Sequence, residues 1–245
     1  MEHWMSLPDK RGARMRRSTT ADEIKKLILT RNLKPGDPLP TEAELCETLD
    51  VSRSSVREAI RTLSTLDIVD VRHGHGTYVG AMSLDAMVEA LVFRGVLSPD
   101  GSVDALREVV EVRLALDLAM ADAVVAGATE ETKNELSALV DEMVTKASRG
   151  EMFLEADRAF HTKLFAVTGN HLAQQLVGAF WDVHTAVVPL LGIVMPSDIQ
   201  HTAEAHGDML DAALRGDVEA YRQAVVEHYR PLQRSISAAN IAAKA

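Results

Sequence analysis

Between Thr41 and Leu66 two helical patterns are separated by only three residues, Asp50-Val51-Ser52. Thr41 has Glu44 three residues further on, the spacing of a capping box, which predicts a helix from Thr41 to near Leu49. A second helix is expected from Ser52 to about Leu66, with Val56, Ile60 and Leu63 on its inner face. So short a connection is the turn of a helix-turn-helix. Upstream, Thr20 and Glu23 repeat the capping-box spacing, and Ile24, Leu27 and Ile28 form an apolar stripe, predicting a helix from about Thr20 to Arg31. Asn32 and then Pro35-Gly36 stop it. Downstream, Ile68–Arg72 and Thr77–Val79 flank the turn His73-Gly74-His75-Gly76, the pattern of a β-hairpin. Three helices and a hairpin wing are therefore expected over residues 18–80.

The outer face of the third helix carries Arg53, Arg57 and Arg61 at four-residue intervals. Ser54 and Ser55 lie in its first turn, where N–H groups and hydroxyls can meet phosphate. A helix that gives its apolar side to the domain and its arginines to solvent suits the major groove, where an arginine fork reads guanine. The chain's net charge of −10 does not argue against this, because residues 1–80 carry 13 basic and 12 acidic side chains while residues 81–245 carry 13 and 24. Phosphate contact depends on where positive charge sits, not on the sum. Residues 1–17 hold Lys10, Arg11, Arg14, Arg16 and Arg17 and read as a flexible basic arm, or else as an upstream extension before Met5 or Met15.

From Ser83 onward the pattern is helical throughout, with aromatic residues only 4% of the chain, a composition that suits helix packing better than a β-sandwich. Seven helices are expected, at about 83–95, 102–127, 129–148, 151–168, 171–190, 197–215 and 217–240. Cys46 is the one cysteine, which excludes an internal disulfide and a cysteine-based zinc site. No signal peptide and no membrane-spanning run is found, so a soluble cytoplasmic protein is expected.

Four polar residues stand out in this region. Asp157 and His161 share one helix face at i, i+4. His206 lies 10 residues before Gly216 and His228 lies 12 after it, so in a helical hairpin they stand about 15 and 18 Å from the turn, at nearly one height. Three imidazoles and a carboxylate could meet inside the bundle, a set suited to Zn²⁺ and also to Ni²⁺ or Mn²⁺. Arg113, among Val109, Val110, Val112, Leu114 and Leu116, is a candidate cation for a carboxylate ligand. His184 falls about 10 Å from His161 in height on the same hairpin reasoning and is left outside the ligand set, and His3, His171 and His201 have no expected partner.

Leu39-Pro-Thr-Glu-Ala-Glu-Leu45, Val51-Ser-Arg-Ser-Ser-Val-Arg-Glu-Ala59 and His73-Gly-His-Gly-Thr-Tyr-Val79 together resemble the DNA-binding domain of the GntR family of bacterial regulators. The resemblance implies operator contacts by Arg53, Ser54, Ser55 and Arg57, and minor-groove contacts by His73 and Gly74 at the wing tip. Some members carry a base-reading arginine where this chain has Ala43. Ser83 to Ile236 resembles the helical FCD effector domain of the FadR subfamily, whose metal signature is Asp-x₃-His followed by two histidines 22 residues apart. Asp157, His161, His206 and His228 match it, and Arg113 and Asn170 match positions near the family's effector cavity. The resemblance further implies a homodimer on near-palindromic double-stranded operator DNA and a small organic acid effector such as lactate, a sugar acid or sialic acid. A transcription regulator, most often a repressor in this family, is thus expected over residues 18–80 and 81–245. The alternatives are a metal-dependent hydrolase, against which no HExxH or Gly-x-Ser-x-Gly pattern is found, and a dimerising DNA-binding protein without an effector.

Overall fold

The structure is a computed structural model describing residues 19–97, 103–192 and 199–243. The basic arm expected over residues 1–17 lies outside the described residues. The chain divides into two compact units, the boundary falling after Ser83.

In the first unit α1 (Thr20–Thr30), α2 (Glu42–Leu49) and α3 (Arg53–Thr65) precede an antiparallel hairpin of β1 (Val69–Arg72) and β2 (Gly76–Val79). Thr41 caps α2 in the expected box with Glu44, and the Ser52 hydroxyl caps α3 by accepting the Ser55 N–H. The cap of α1 lies one residue earlier than expected, Thr19 pairing with Asp22 in place of Thr20 with Glu23. Between α2 and α3, Asp50 adopts a left-handed conformation at φ 52°. Asp is among the few non-glycine residues that visit that region readily, and the sharp reversal lets α3 cross α2. Ile24, Leu27, Ile28, Leu45, Val56, Ile60 and Leu63 fill the core with Val69 and Val79 of the wing. Residues 36–39 pair with β2: the Leu39 N–H donates to the Thr77 carbonyl and the Val79 N–H to the Asp37 carbonyl, both at 2.8 Å. That pairing ties the base of the wing to the α1–α2 connection.

The second unit is all helix: α4 (Asp85–Leu97), α5 (Val103–Ala119), α6 (Ala121–Gly127), α7 (Glu130–Ser148), α8 (Leu154–Ala166), α9 (His171–Leu190), α10 (Ile199–Leu214) and α11 (Val218–Ala243). The helix expected over 102–127 is divided at Met120 into α5 and α6, and the other six keep their expected order. Its core includes Leu106, Val110, Phe160, Leu164, Val187, Met209, Tyr221 and Val225. Gly216, at φ 72°, makes the tight reversal between α10 and α11, and the Asp217 carboxylate accepts the Ala220 N–H to start α11. No helix among the described residues is long and apolar enough to cross a membrane.

Candidate metal centre and nucleic-acid interface

The α10–α11 hairpin brings the two distant histidines together as the count about Gly216 requires, with the His206 and His228 rings 4.4 Å apart. α8 adds Asp157 and His161 to the same point. His161, His206 and His228 are buried, and one ligand atom from each of the four residues lies within 4.8 Å of every other. Asp157 Oδ1 is 2.9 Å from His206 Nε2 and 3.2 Å from His161 Nε2, while His161 Nε2 is 3.1 Å from His228 Nε2.

These separations fit a divalent cation. With ligands about 2.0–2.1 Å from a metal, neighbouring donors stand roughly 3.0 Å apart at octahedral angles and roughly 3.3 Å apart at tetrahedral ones. Protonation also favours a cation. His206 Nδ1 donates to the Thr202 carbonyl at 2.7 Å, which fixes the ring with Nε2 turned toward the Asp157 carboxylate. Burial and the neighbouring Arg113 guanidinium depress His161, and burial with the adjacent imidazoles depresses His228 well below the usual histidine range. Burial pushes Asp157 up, but hydrogen bonds from His161 and His206 outweigh it and hold the carboxyl well below its ordinary value. Depressed imidazoles at His161 and His228 beside an ionised Asp157 suit metal binding, which requires lone pairs on its nitrogen donors.

Asp157 is oriented through its other oxygen, since Trp181 Nε1 donates to Oδ2 at 2.9 Å. Sequence reasoning missed Trp181, although the signal was present: Asp157 lies 12 residues before Gly169 and Trp181 lies 12 after it. The ion pair of Arg158 with Asp182 one position along is set by the same register.

Beside this cluster is a partly open cavity of about 60 Å³, lined by Asp157, His228, Arg113, His184, Tyr229 and Thr202 together with Met152, Phe153, Leu154, Ile199 and Leu232. Arg113 is 2% exposed. Its Nη1 lies 3.3 Å from His184 Nδ1 and its guanidinium 5.3 Å from the Tyr229 ring centre, while Nε and Nη2 have no partner among the described residues. Burial, with Arg113 beside it, pulls His184 down to about 3, so it faces Arg113 as a neutral acceptor. His184 thus stays outside the ligand cluster but belongs to the cavity wall. Behind Arg113, Tyr229 Oη donates to the buried Asp117 Oδ2 at 2.5 Å, a pair the sequence did not suggest.

The structure does not bring Asn170 to this cavity. The residue is exposed, its Oδ1 accepts the Ala173 N–H as the cap of α9, and it is not among the cavity's lining residues. It follows Gly169 at the hairpin turn, 12 residues or about 18 Å along α8 from Asp157.

In the first unit Arg53, Ser54, Arg57 and Arg61 are exposed and Ser55 half-buried, while Val56, Ala59, Ile60 and Leu63 of the same helix are buried. Ser54 and Ser55 hydroxyls lie 2.7 and 2.9 Å from the Ser52 hydroxyl. Arg57 Nε donates to Glu42 Oε2 at 2.9 Å, and the Arg57 side chain remains exposed. His73 and Gly74 are exposed at the wing tip, Gly74 at φ 77°.

A winged helix-turn-helix followed in the same chain by a helical bundle with a buried polar cluster beside a cavity defines a DNA-binding transcription regulator. Residues 16–79 match the bacterial regulatory proteins of the gntR family and residues 108–231 the FCD domain. The chain belongs to the GntR family, with an FCD effector domain. It is 31% identical to the HTH-type transcriptional regulator Rv0494 of Mycobacterium tuberculosis over 88% of this chain and 93% of that one. It is 27% identical to the galactonate operon transcriptional repressor of Escherichia coli, over 82% of this chain and 88% of that one. The solved structure of a Streptococcus agalactiae GntR protein superposes with a TM-score of 0.66 at 31% identity, covering 88% of this chain and 98% of that one. These relatives are transcription regulators, not enzymes, and the chain is read with them.

Proposed function

We propose that this chain is a metabolite-responsive repressor acting as a homodimer on a near-palindromic operator. In this reading Arg53, Arg57 and Arg61 enter the major groove with Ser54 and Ser55 on phosphate, and His73 and Gly74 reach the adjacent minor groove. A relative named as the repressor of the galactonate operon supports the direction of control. Asp157, His161, His206 and His228 hold a divalent metal, with Zn²⁺ the first choice and Ni²⁺ or Mn²⁺ also suited to three nitrogens and one oxygen. When bound, the metal supplies a Lewis-acid contact for a carboxylate oxygen. Arg113 offers the same ligand its free Nε–Nη2 edge, the edge through which Arg158 holds Asp182 at 2.7 and 2.9 Å. His184 and Tyr229 keep that guanidinium in place.

The observation that carries this reading is the buried cluster of four donors beside a cavity in which Arg113, the one arginine or lysine among the described lining residues, has two nitrogens without a partner among those residues. Effector binding shifts the population between DNA-competent and DNA-released arrangements by its differential affinity for them. Operator binding tests it. With zinc present, a panel of small carboxylates should contain at least one that releases the operator from the wild-type protein. His206→Ala and His228→Ala should keep operator affinity without effector and lose that release. Release that is unchanged in both variants would remove the metal from the mechanism.

A further inference from the structure

The cavity wall changes character along its helices. One turn from Asp157 toward the start of α8 stand Phe153 and Leu154, and one turn past His228 along α11 stands Leu232. Two turns before His206 on α10 stands Ile199, with Thr202 one turn before it. A turn is about 5.4 Å. Because α10 and α11 run antiparallel through Gly216, Ile199 and Leu232 lie toward the same end of that hairpin. Phe153, Leu154, Ile199, Leu232 and Met152 have no strongly hydrogen-bonding side-chain group, and Thr202 supplies the one hydroxyl among the non-ionisable lining residues beyond the Tyr229 phenol, which is spent on Asp117. Leu154 and Met152 remain 40% and 42% exposed at this end.

The charged groups are confined to the other side. Asp157 and His228 belong to the ligand cluster, and Arg113 sits over Tyr229, the neighbour of His228. Arg113 is the only Lys or Arg among the described lining residues, so the wall is equipped for one anionic head. Among the described residues, ligand hydroxyls placed against the remaining wall would give up water partners and find only the Thr202 hydroxyl in exchange. A hydrocarbon body there would remove Leu154 and Met152 from water.

We propose that the effector is a monocarboxylic acid with a hydrocarbon body, its head between the Asp157–His228 cluster and Arg113 and its body against Phe153, Leu154, Ile199 and Leu232. The inference rests on the proposed metal and carboxylate site and adds the class of acid that fits it. A polyhydroxylated acid, whose hydroxyls need partners along their whole length, is the class the wall disfavours.

Calorimetric titration of the zinc-loaded full chain with butanoate, hexanoate, octanoate and gluconate tests this. Hexanoate and gluconate share a chain length and a carboxylate head and differ in the hydroxyls. The dissociation constant should fall by roughly fourfold for each added methylene. Gluconate should bind at least about 100-fold more weakly than hexanoate. Leu232→Gln, its folding checked by zinc-induced stabilisation, should flatten the dependence on chain length. Leu154→Gln, at an exposed position that tolerates a polar side chain, should weaken octanoate more than butanoate. Gluconate binding as tightly as hexanoate, or an affinity flat from butanoate to octanoate, would overturn the hydrocarbon assignment and leave the carboxylate site standing. Absence of binding by all four acids to zinc-loaded protein would overturn both.

Discussion

Removal of His206 gives the sharpest test of the proposed metal centre, because its effect can be sized from the geometry. Its Nε2 lies 2.9 Å from Asp157 Oδ1, and its proton-bearing nitrogen is held by the Thr202 carbonyl, so it is the best oriented of the three imidazoles. A ligand that binds only the folded state at about 100 times its dissociation constant adds about 2.7 kcal/mol. For a unit the size of residues 84–245, each kcal/mol moves the melting temperature by about 2–4 °C, so zinc should raise the wild-type midpoint by about 5–11 °C. Loss of one of four donors that weakens zinc about 100-fold leaves the metal near its dissociation constant, where it adds only about 0.4 kcal/mol, or about 1–2 °C. His206 also packs edge-on against Phe160 at 4.9 Å and Phe153 at 6.4 Å, so His206→Ala is itself destabilising. Each protein must therefore be compared with and without zinc after chelator treatment, by scanning calorimetry. His201→Ala, exposed on the same helix, is the control for loose binding to surface imidazoles and should keep the full shift. A zinc shift of equal size in wild type and His206→Ala would refute the assignment of this cluster as the metal site.

Arg57→Ala should cost about 1–3 kcal/mol of discrimination between operator and mismatched duplex, read by competition binding, and an unchanged ratio would take base reading away from this side chain. Asp117 is buried, and burial raises its carboxyl above the ordinary value of 3.8 despite Arg113 and the Tyr229 hydrogen bond. The folded state then holds a proton that the unfolded chain has released, so Asp117 makes stability fall as pH rises above about 4, by at most about 1.4 kcal/mol per pH unit. Asp117→Asn should flatten that slope in chelator-treated protein, and an identical slope in both proteins would count against a raised Asp117. A methyl group at Gly80 would stand 2.1 Å from the Asp67 carbonyl oxygen and one at Gly127 would stand 2.3 Å from that of Val167. Gly80→Ala and Gly127→Ala should each destabilise their own unit by roughly 1–3 kcal/mol or more, visible in urea unfolding, and wild-type midpoints would contradict those close approaches.

The DNA-binding half was legible because each of its elements carries its own local signal. The Thr41–Glu44 box, the Ser52 cap and the glycines of the wing tip are chemical features within four residues of where they act. The cap of α1 was misplaced by one residue because Thr19 and Thr20 each have an acid three positions on, so the sequence offers two equivalent boxes. The pairing of residues 36–39 with β2 was not legible, since a Pro-Gly stretch that ends a helix gives no sign of what its backbone will meet 40 residues later. In the helical half, counting from Gly216 aligned His206 with His228, and counting from Gly169 would have found Trp181. Spacing succeeds there because a hairpin converts sequence distance into height. It fails for Asp117 and Tyr229, 112 residues apart, whose meeting depends on how α5 packs against α11.

Spacing also cannot tell which buried groups lack a partner, and the proposed effector site rests on one such group. Desolvating a guanidinium is costly unless its donors are satisfied, and removing it to water is prevented here by Tyr229, His184 and the surrounding helices. Arg113 nevertheless keeps Nε and Nη2 free while its acidic neighbour Asp117 gives its hydrogen-bonded oxygen to Tyr229. An internal carboxylate placed on that edge, as Asp182 is on Arg158, would have stabilised the fold and closed the cavity at the same stroke. Leaving the edge open instead lowers the stability of the empty protein, and in the proposed reading it reserves the missing interaction for a ligand. The same unmet demand that weakens the empty bundle is then the source of the differential affinity by which an acid can shift its conformational balance.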